Sequence, residues 1–227
     1  VPGPGQLPTF FAAWYTGAPD RTPIWYVVQG VVQDNQVVAP ILRVTRDTAA
    51  SSFSVRRETV GSARLHFVNP EKLVFNYFIE STLEGGTEIL THGFQGLAAA
   101  SPNRTGVWFH APEDGWGQTW DSYMAGGVAR DFIASYLYDS AGQPRWVLTD
   151  APASQTGDLP SKAFRVHCPS CGWIDFFDSE RSAGPLRRSF VAPNSGTIST
   201  HFQVPAPTGI EWLRSDIPIS LLTPVQQ

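Results

Sequence analysis

The feature that most constrains the fold of this chain is a sequence pattern that occurs twice, about 120 residues apart. The first occurrence begins with Phe11-Ala-Ala-Trp-Tyr-Thr and continues through a seven-residue loop ending in Pro23, followed by Ile-Trp25. The second begins with Ile133-Ala-Ser-Tyr-Leu-Tyr and continues through a six-residue loop ending in Pro144, followed by Arg-Trp146. Both patterns are typical of a β-hairpin, and recurrence at a fixed spacing indicates a duplicated structural unit.

Three further matches follow in the same order in both halves. They pair Ile41-Leu-Arg43-Val with Ala163-Phe-Arg165-Val, Leu65-His66-Phe67 with Thr200-His201-Phe202, and Glu88-Ile-Leu with Glu211-Trp-Leu. The sequence therefore predicts two divergent repeats, a first β-repeat over residues 1–100 and a second over residues 101–227. The alternative is that both halves form one continuous domain.

The two predicted repeats are unequal, because a segment of the second has no counterpart in the first. Residues 106–123 contain a strand, a turn and a second strand, with Trp108, Trp116 and Trp120 among them. Either the first repeat lacks this hairpin through truncation or processing, or the hairpin completes one barrel or sandwich for both halves. Residue 1 is Val and opens a Pro- and Gly-rich stretch, so we read residues 1–8 as an extended lead-in.

Alternation of apolar and polar residues with a period of two recurs between Gly, Pro and Asn/Asp breakers along the whole chain. Predicted strands include residues 62–69 in the first half and 209–215 in the second. No window of helical periodicity is free of Pro or Gly. We therefore predict an all-β fold, an antiparallel meander that closes into a barrel or packs as a sandwich.

Composition excludes several classes of partner. Charged residues make up only 16% of the chain and aromatic residues 12%, with 8 Trp, which is typical of a rigid aromatic-rich β-protein. The formal net charge is -4 and the charges are not clustered in blocks, so the sequence shows no basic patch that would bind nucleic acid or anionic lipid. The longest apolar runs, such as residues 217–222, have the length of a strand, so we expect a protein that does not span a membrane.

The two cysteines, Cys168 and Cys171, lie in His-Cys-Pro-Ser-Cys-Gly-Trp. A thioredoxin-like redox pair needs a helix after the first cysteine, and strand-like sequences flank this motif. A zinc site needs a second pair of ligands, which His167 alone does not supply. We favour a disulfide that closes a tight loop between strands, which predicts a periplasmic or extracellular location.

A resemblance to a known group rests on residues 106–147. Gly106-Val-Trp-Phe, Pro112-Glu-Asp-Gly-Trp-Gly and Tyr138-Asp-Ser-Ala-Gly-Gln-Pro-Arg-Trp146 resemble a repeat of secreted or surface-exposed bacterial proteins. In that repeat a G-x-W…G-W-G segment precedes Y-D-x-x-G-x-P-x-W. The first half shares only Pro23-Ile-Trp25 with it. The resemblance implies an exported bacterial β-module and carries over no catalytic residue.

Candidate catalytic residues are few. The chain has no G-x-S-x-G nucleophile motif and no phosphate-binding loop. Glu113, Asp114 and Asp121 lie beside Trp residues, as acids do in sugar-cleaving sites, but Pro-Glu-Asp-Gly is also an ordinary turn. The five histidines lack the spacing of a metal site, so we expect no metal and no cofactor.

The aromatic residues are the strongest functional signal, because they exceed what one small core usually holds. The candidates for ligand binding are Trp108, Trp116, Trp120, Tyr123, Tyr136 and Trp146.

Three hypotheses for the function follow from these residues. The first is an exported, non-catalytic binding or adhesion module with an aromatic-lined groove for a glycan, a small apolar ligand or a protein partner. The second is a carbohydrate-active hydrolase or lyase. The third is a self-associating structural subunit of a surface assembly.

The disulfide prediction can be tested on the purified, oxidised protein. We expect a thiol-alkylating reagent to label neither Cys168 nor Cys171 in denaturant, and to label both after reduction, with the increase read by intact-mass spectrometry. Full labelling without reduction would contradict the disulfide and remove the main argument for export.

Overall fold

The computed structural model describes residues 8–91, 97–98, 100–164 and 180–222. Cys168, Cys171 and Arg165 lie outside the described residues. Those described form fourteen antiparallel strands and one short 3₁₀ turn, Ala111–Glu113, so the prediction of an all-β fold is confirmed. No helix among them is long and apolar enough to cross a membrane.

The first half is a six-stranded sheet in which each strand pairs with the next along the chain. Its strands are β1 (Thr9–Gly17), β2 (Pro23–Val31), β3 (Gln36–Arg46), β4 (Val55–Asn69), β5 (Lys72–Ile79) and β6 (Glu84–Thr91). Within the described part of the chain, no strand pairs with the outer edge of β1 or of β6.

The second half is a closed eight-stranded barrel. Its strands are β7 (Gly106–Phe109), β8 (Gly117–Ala125), β9 (Val128–Tyr138), β10 (Pro144–Pro152), β11 (Leu159–Ala163), β12 (Arg181–Ala192), β13 (Ser195–Val204) and β14 (Ile210–Leu221). The strands follow one another around the barrel, and the ladder between β14 and β7 closes it at Ser220 and Leu221.

Two strands extend beyond their predicted bounds. β4 begins at Val55, because the charged run Arg56-Arg57-Glu58 pairs with β3 despite its polarity. β14 continues to Leu221 through Asp216, whose φ of 51° marks an irregularity in the strand, and through Pro218. Apolar alternation did not predict these segments as strand, because one contains a run of charged residues and the other contains a proline.

Aromatic side chains fill the barrel interior. Trp108 of β7 and Trp120 of β8 lie 5.8 Å apart between ring centroids, and both contact Phe190 of β12 at 5.5 and 5.4 Å. Since β8 and β12 are not neighbours in the sheet, this contact passes through the interior. An eight-stranded barrel is wide enough for such side chains and little more, so Trp108 and Trp120 are core residues.

A buried ionic cluster closes one end of the barrel. Asp131 is fully buried, and its Oδ2 lies 2.8 Å from Arg104 Nη1 and 2.8 Å from Arg188 Nη1. The Ser122 hydroxyl donates to Asp131 Oδ1 at 2.6 Å. Burial lowers the pKa of Arg188, and Asp131 partly offsets that effect. A buried carboxylate with these partners keeps its charge compensated.

The six-stranded sheet has a core of its own. Trp14 of β1 contacts Tyr26 at 5.6 Å, Phe75 at 5.0 Å and Tyr77 at 4.7 Å. Phe75 and Tyr77 belong to β5, so the sheet curls enough for its first strand to reach its fifth. One face of the sheet is thus packed internally, and the other face is left for the barrel.

The β1–β2 and β9–β10 hairpins have the same construction. Gly17 pairs with Pro23, and Tyr138 pairs with Pro144, so both loops have five residues and equivalent positions differ by 121. The fourth loop residue has a positive φ in both, 65° for Arg21 and 77° for its equivalent Gly142. The loop lengths of seven and six residues assigned from the sequence were therefore wrong.

The next strands of each half share a register shift at the same place. The β3–β4 ladder shifts after Ile41, which faces Gly61, and the β11–β12 ladder shifts after Ser161, which faces Gly184. At either glycine a Cβ would collide with a backbone carbonyl oxygen of the following strand. By this register β1 to β6 are equivalent to β9 to β14, and β7 and β8 have no equivalent among the described strands.

The later sequence matches do not hold in this register. His66 lies in β4, whereas His201 lies in β13, the equivalent of β5. Glu88 and Glu211 lie in equivalent strands but on different faces. Glu88 pairs with Phe75 of the sheet core, and Glu211 is exposed beside Gln203.

The two hairpins pack against each other through reciprocal contacts. The Trp25 and Tyr136 rings contact each other at a tilt with centroids 5.3 Å apart, and Trp146 meets Tyr15 edge-on at 6.0 Å. Trp25 Nε1 donates to the Leu137 carbonyl at 3.0 Å, and Trp146 Nε1 donates to the carbonyl of Thr16, the equivalent of Leu137, at 3.1 Å. The same surface of each half therefore meets the other across a pseudo-twofold axis, as in an isologous dimer interface.

We predict that Trp25→Phe and Trp146→Phe each lower the free energy of unfolding by about 1 kcal/mol beyond the loss of ring volume, because each removes a buried hydrogen bond between the two halves. Urea unfolding measures the change. Trp14→Phe is the control, since no described residue accepts a hydrogen bond from the Trp14 indole. Equal losses in all three variants would mean that ring volume alone matters.

Candidate functional site

A cleft of about 590 Å³ lies between the six-stranded sheet and the barrel. Its lining is mainly apolar and comes from both halves of the chain. The lining residues are Thr9, Phe11, Trp25, Val27, Gln29, Leu42, Val44, Arg57, Phe109, Asp114, Gly115, Trp116, Tyr136 and Leu222. Its volume lies within the range of small-ligand pockets.

Strand alternation supplies the wall formed by the sheet. Thr9 and Phe11 of β1 share one face, as do Trp25, Val27 and Gln29 of β2. This is the face that the sheet turns toward the barrel, opposite the face that carries Trp14. Trp25 is held rigidly, because it is only 1% exposed and its indole is bonded to Leu137.

Trp116 forms the wall on the barrel side, in the loop between β7 and β8. Its indole Nε1 donates to Glu113 Oε2 at 2.9 Å, and its ring meets Trp212 edge-on at 5.5 Å. The Arg214 guanidinium lies 4.0 Å from the Trp212 ring centroid and 3.4 Å from Glu113. Burial lowers the pKa of Arg214. This cation–π and ionic support fixes the Trp116 ring at the edge of the cleft.

Tyr136 provides a polar group in the apolar part of the cleft. The residue is 5% exposed, and its hydroxyl has no hydrogen-bond partner among the described residues. Burial raises the pKa of Tyr136 well above its ordinary value, so the hydroxyl is a donor at any working pH. The equivalent Tyr15 instead bonds to Thr119 Oγ1 at 3.0 Å. The Tyr136 hydroxyl lies over Gly117 of β8, where a Cβ would come within 2.4 Å of it, and Tyr136 lines the cleft without a described hydrogen-bond partner.

An ion pair lies at the rim. Arg57 of β4 donates to Asp114 Oδ2, joining the sheet to the loop before β8. The two side chains are 46% and 77% exposed, so the pair contributes little to stability and can exchange partners. The rim thus offers one cation and one anion to the polar end of a ligand.

The cleft contains only two of the six aromatic residues proposed from sequence, Trp116 and Tyr136. Trp108 and Trp120 are 0% and 2% exposed inside the barrel, where no ligand at the surface reaches them. Trp146 is occupied by the reciprocal interface with Thr16. The Tyr123 hydroxyl donates to Asp150 Oδ1 at 3.1 Å and lies outside the cleft lining.

The structure separates Asp121 from the other two proposed catalytic carboxylates, and those two are engaged by other side chains. Glu113 holds the Trp116 indole, and Asp114 is paired with Arg57. Asp121 lies opposite Phe132 in β8, about 13 Å along the strand from Gly117, where the loop of the other two ends. The described residues contain no group of three or more His, Cys, Asp or Glu that could hold a metal ion.

Sequence reasoning missed most of the apolar lining. Trp25 was counted among the aromatic residues of the repeat strands but not among the ligand-binding candidates, and Phe11, Val27 and Leu42 were read as ordinary strand positions. The alternation of apolar residues could have revealed them. The residues of β1 and β3 that lie on the same sheet face as Trp25 are mostly apolar as well. A second apolar face on a sheet predicts a packing partner or a ligand.

Comparisons with family models, curated proteins and solved structures gave no match to this chain. The resemblance to secreted bacterial repeats therefore stays a prediction. The geometry of the cleft is therefore the main evidence for a function.

Two matched variants test the assignment of the Tyr136 hydroxyl. We expect Tyr15→Phe to lower the free energy of unfolding by about 1 kcal/mol, because it removes a hydrogen bond to Thr119. Tyr136→Phe should leave stability unchanged within error, because its hydroxyl has no described partner. Chemical denaturation measures both, and an equal loss in Tyr136→Phe would show that this hydroxyl is already bonded within the fold.

Proposed function

We propose that the protein is a non-catalytic binding module whose cleft takes a largely apolar ligand with a polar end. The observation that carries the proposal is the combination of an apolar cleft, rigid Trp25 and Trp116 side chains, and an unpaired Tyr136 hydroxyl. Rigid aromatic walls lose little conformational entropy when a ligand binds, which favours affinity. We propose further that the module is exported, an argument supported by the Cys168/Cys171 motif.

We also infer that the two halves are divergent forms of one unit, in which β7 and β8 have no counterpart among the described strands of the first half. Support comes from the equal hairpin loops, the shared positive φ of Arg21 and Gly142, and the matching register shifts at Gly61 and Gly184.

Neither alternative function gains a supporting observation. Catalysis by the proposed carboxylates needs two acids 5–10 Å apart, about the separation used in glycoside cleavage, and the proposed acids serve Trp116 and Arg57 instead. Stacking of modules through open sheet edges is opposed at β6. Glu84 and Glu88 lie there on the face of the sheet core, and inward-pointing charges on an edge strand discourage strand addition.

The proposal predicts binding of a fluorescent apolar anion, 8-anilinonaphthalene-1-sulfonate, with its rings against Trp25 and Trp116 and its sulfonate near Arg57. We expect saturable enhancement of probe fluorescence with a stoichiometry of about one, as a single cleft requires. Leu42→Trp should reduce the affinity at least tenfold by filling the cleft.

Val38→Trp is the matched control, since Val38 lies in the same strand, is 67% exposed and does not line the cleft. We expect this variant to bind the probe like the unmodified protein. Equal affinity of Leu42→Trp and Val38→Trp would place the probe elsewhere and refute the cleft as its site.

A further inference from the structure

The cleft is elongated along the strands of the sheet. Its lining residues on β2 are Trp25, Val27 and Gln29, which share one face and span about 13 Å along the strand. Phe11 of β1 pairs with Gln29, and Thr9 lies two residues beyond Phe11 at the same end of the cleft. Gln29 and Thr9 are exposed, so this end of the cleft opens to solvent.

The opposite end carries the charge of the cleft. By the register of the β2–β3 ladder, Val44 of β3 lies level with Trp25, and Val44 pairs with Arg57 of β4. Arg57 therefore lies at the Trp25 end, where it contacts Asp114. These two residues are the charged members of the described lining. The cleft thus combines a charged end with an apolar stretch that leads away from it along β2.

Cations outnumber carboxylates around the charged end. Asp114 is paired with Arg57, and Glu113 with Arg214. The guanidinium groups of Arg46 and Arg214 lie over one shared tryptophan ring, at 5.9 and 4.0 Å from its centroid. Arg46 has no carboxylate partner among the described residues, so three guanidinium groups face two carboxylates here. The surplus positive charge attracts an anion and repels a cation.

The Arg57–Asp114 pair can open at small cost. Both side chains are substantially exposed, so the pair is weak, and Asp114 regains water when it is released. The Arg57 guanidinium offers a planar fork of donors that matches the two oxygens of a carboxylate. Asp114 already presents a carboxylate to this guanidinium, so a ligand carboxylate makes the same kind of contact in its place.

We propose that the cleft binds a medium-chain fatty acid, with its carboxylate on Arg57 in place of Asp114 and its chain along β2 toward Gln29. This inference rests on the proposed function and names its ligand class. The length from Trp25 to Gln29, about 13 Å, matches about ten carbons, because each C–C bond of about 1.5 Å advances an extended chain by about 1.3 Å. Longer chains leave the cleft at its exposed end and gain little from it.

Isothermal titration of the full chain with hexanoate, decanoate and tetradecanoate tests the chain length. We expect the affinity to rise about threefold for each methylene group added up to decanoate, because each group enters an apolar cleft, and to level off beyond it. Equal affinity of hexanoate and decanoate would overturn the position of the chain along β2. A rise that continues unchanged to tetradecanoate would overturn the stated length.

The head group is tested with decan-1-ol and decyltrimethylammonium, which carry the same chain as decanoate. We expect decanoate to bind about fivefold more tightly than the alcohol, and the ammonium compound to bind most weakly. Arg57→Gln should abolish the preference for decanoate over the alcohol. Arg56→Gln is the matched control and should retain the preference, since Arg56 is 78% exposed, is paired with Asp47 and does not line the cleft.

A further variant tests the displacement of Asp114. Asp114→Asn should bind decanoate about two- to fivefold more tightly than the unmodified chain, because it removes the competing carboxylate, and should bind decan-1-ol unchanged. Weaker decanoate binding by this variant would overturn the exchange of partners at Arg57.

Leu42→Trp separates this inference from the proposed function. If the three decyl compounds bind equally and Leu42→Trp blocks each of them, the fatty acid is refuted and the binding cleft stands. The same holds if the chain binds 8-anilinonaphthalene-1-sulfonate in the cleft and does not bind decanoate. If Leu42→Trp leaves the binding of every compound unchanged, the cleft is refuted as a binding site, and the fatty-acid proposal with it.

Discussion

The rest of the structure depends on the reciprocal pair of indole hydrogen bonds, from Trp25 to Leu137 and from Trp146 to Thr16. Each bond joins the two halves at equivalent positions. Together the two bonds fix both the distance between the halves and their relative rotation. The cost is that β9 and β10 are buried on both faces, by the barrel interior on one side and by the sheet on the other. Strands that are buried on both faces need partners for all their backbone groups, and the closed barrel supplies those partners for β9 and β10.

No described strand closes the six-stranded sheet, and the side chains of its core differ from those at the equivalent positions of the barrel. Trp14 and Tyr26 of the sheet take the ladder positions of Ser135 and Val147 in the barrel. Larger residues there fill space that Trp108 and Trp120 fill in the barrel, so the sheet keeps a dense core without two strands. The carboxylates of β6 complete this adaptation, since they face solvent where the barrel has apolar residues.

The sequence was sufficient to predict the fold class and the hairpin that recurs in each half. Periodicity of two and the Pro-x-Trp pattern depend on local geometry, which neighbouring residues determine. The site depends on which face of a strand meets which partner, and local pattern does not contain that information. In β9, residues 133–138 are all buried, so alternation could not separate Leu137, on the interior face, from Tyr136, which reaches the cleft. Trp108 and Trp120 were assigned to a binding surface for the same reason, because a Trp in a half-buried strand suits either face equally well.

The two equivalent tyrosines at the interface have different surroundings. The Tyr15 hydroxyl reaches from the sheet to the barrel and bonds to Thr119 of β8. The Tyr136 side chain instead lies over Gly117 of its own barrel, where a Cβ would come within 2.4 Å of the hydroxyl. The reciprocal relation between the halves is therefore broken at these two residues, and the cleft lies on the side of Tyr136, where Phe11 and Trp25 complete its apolar wall.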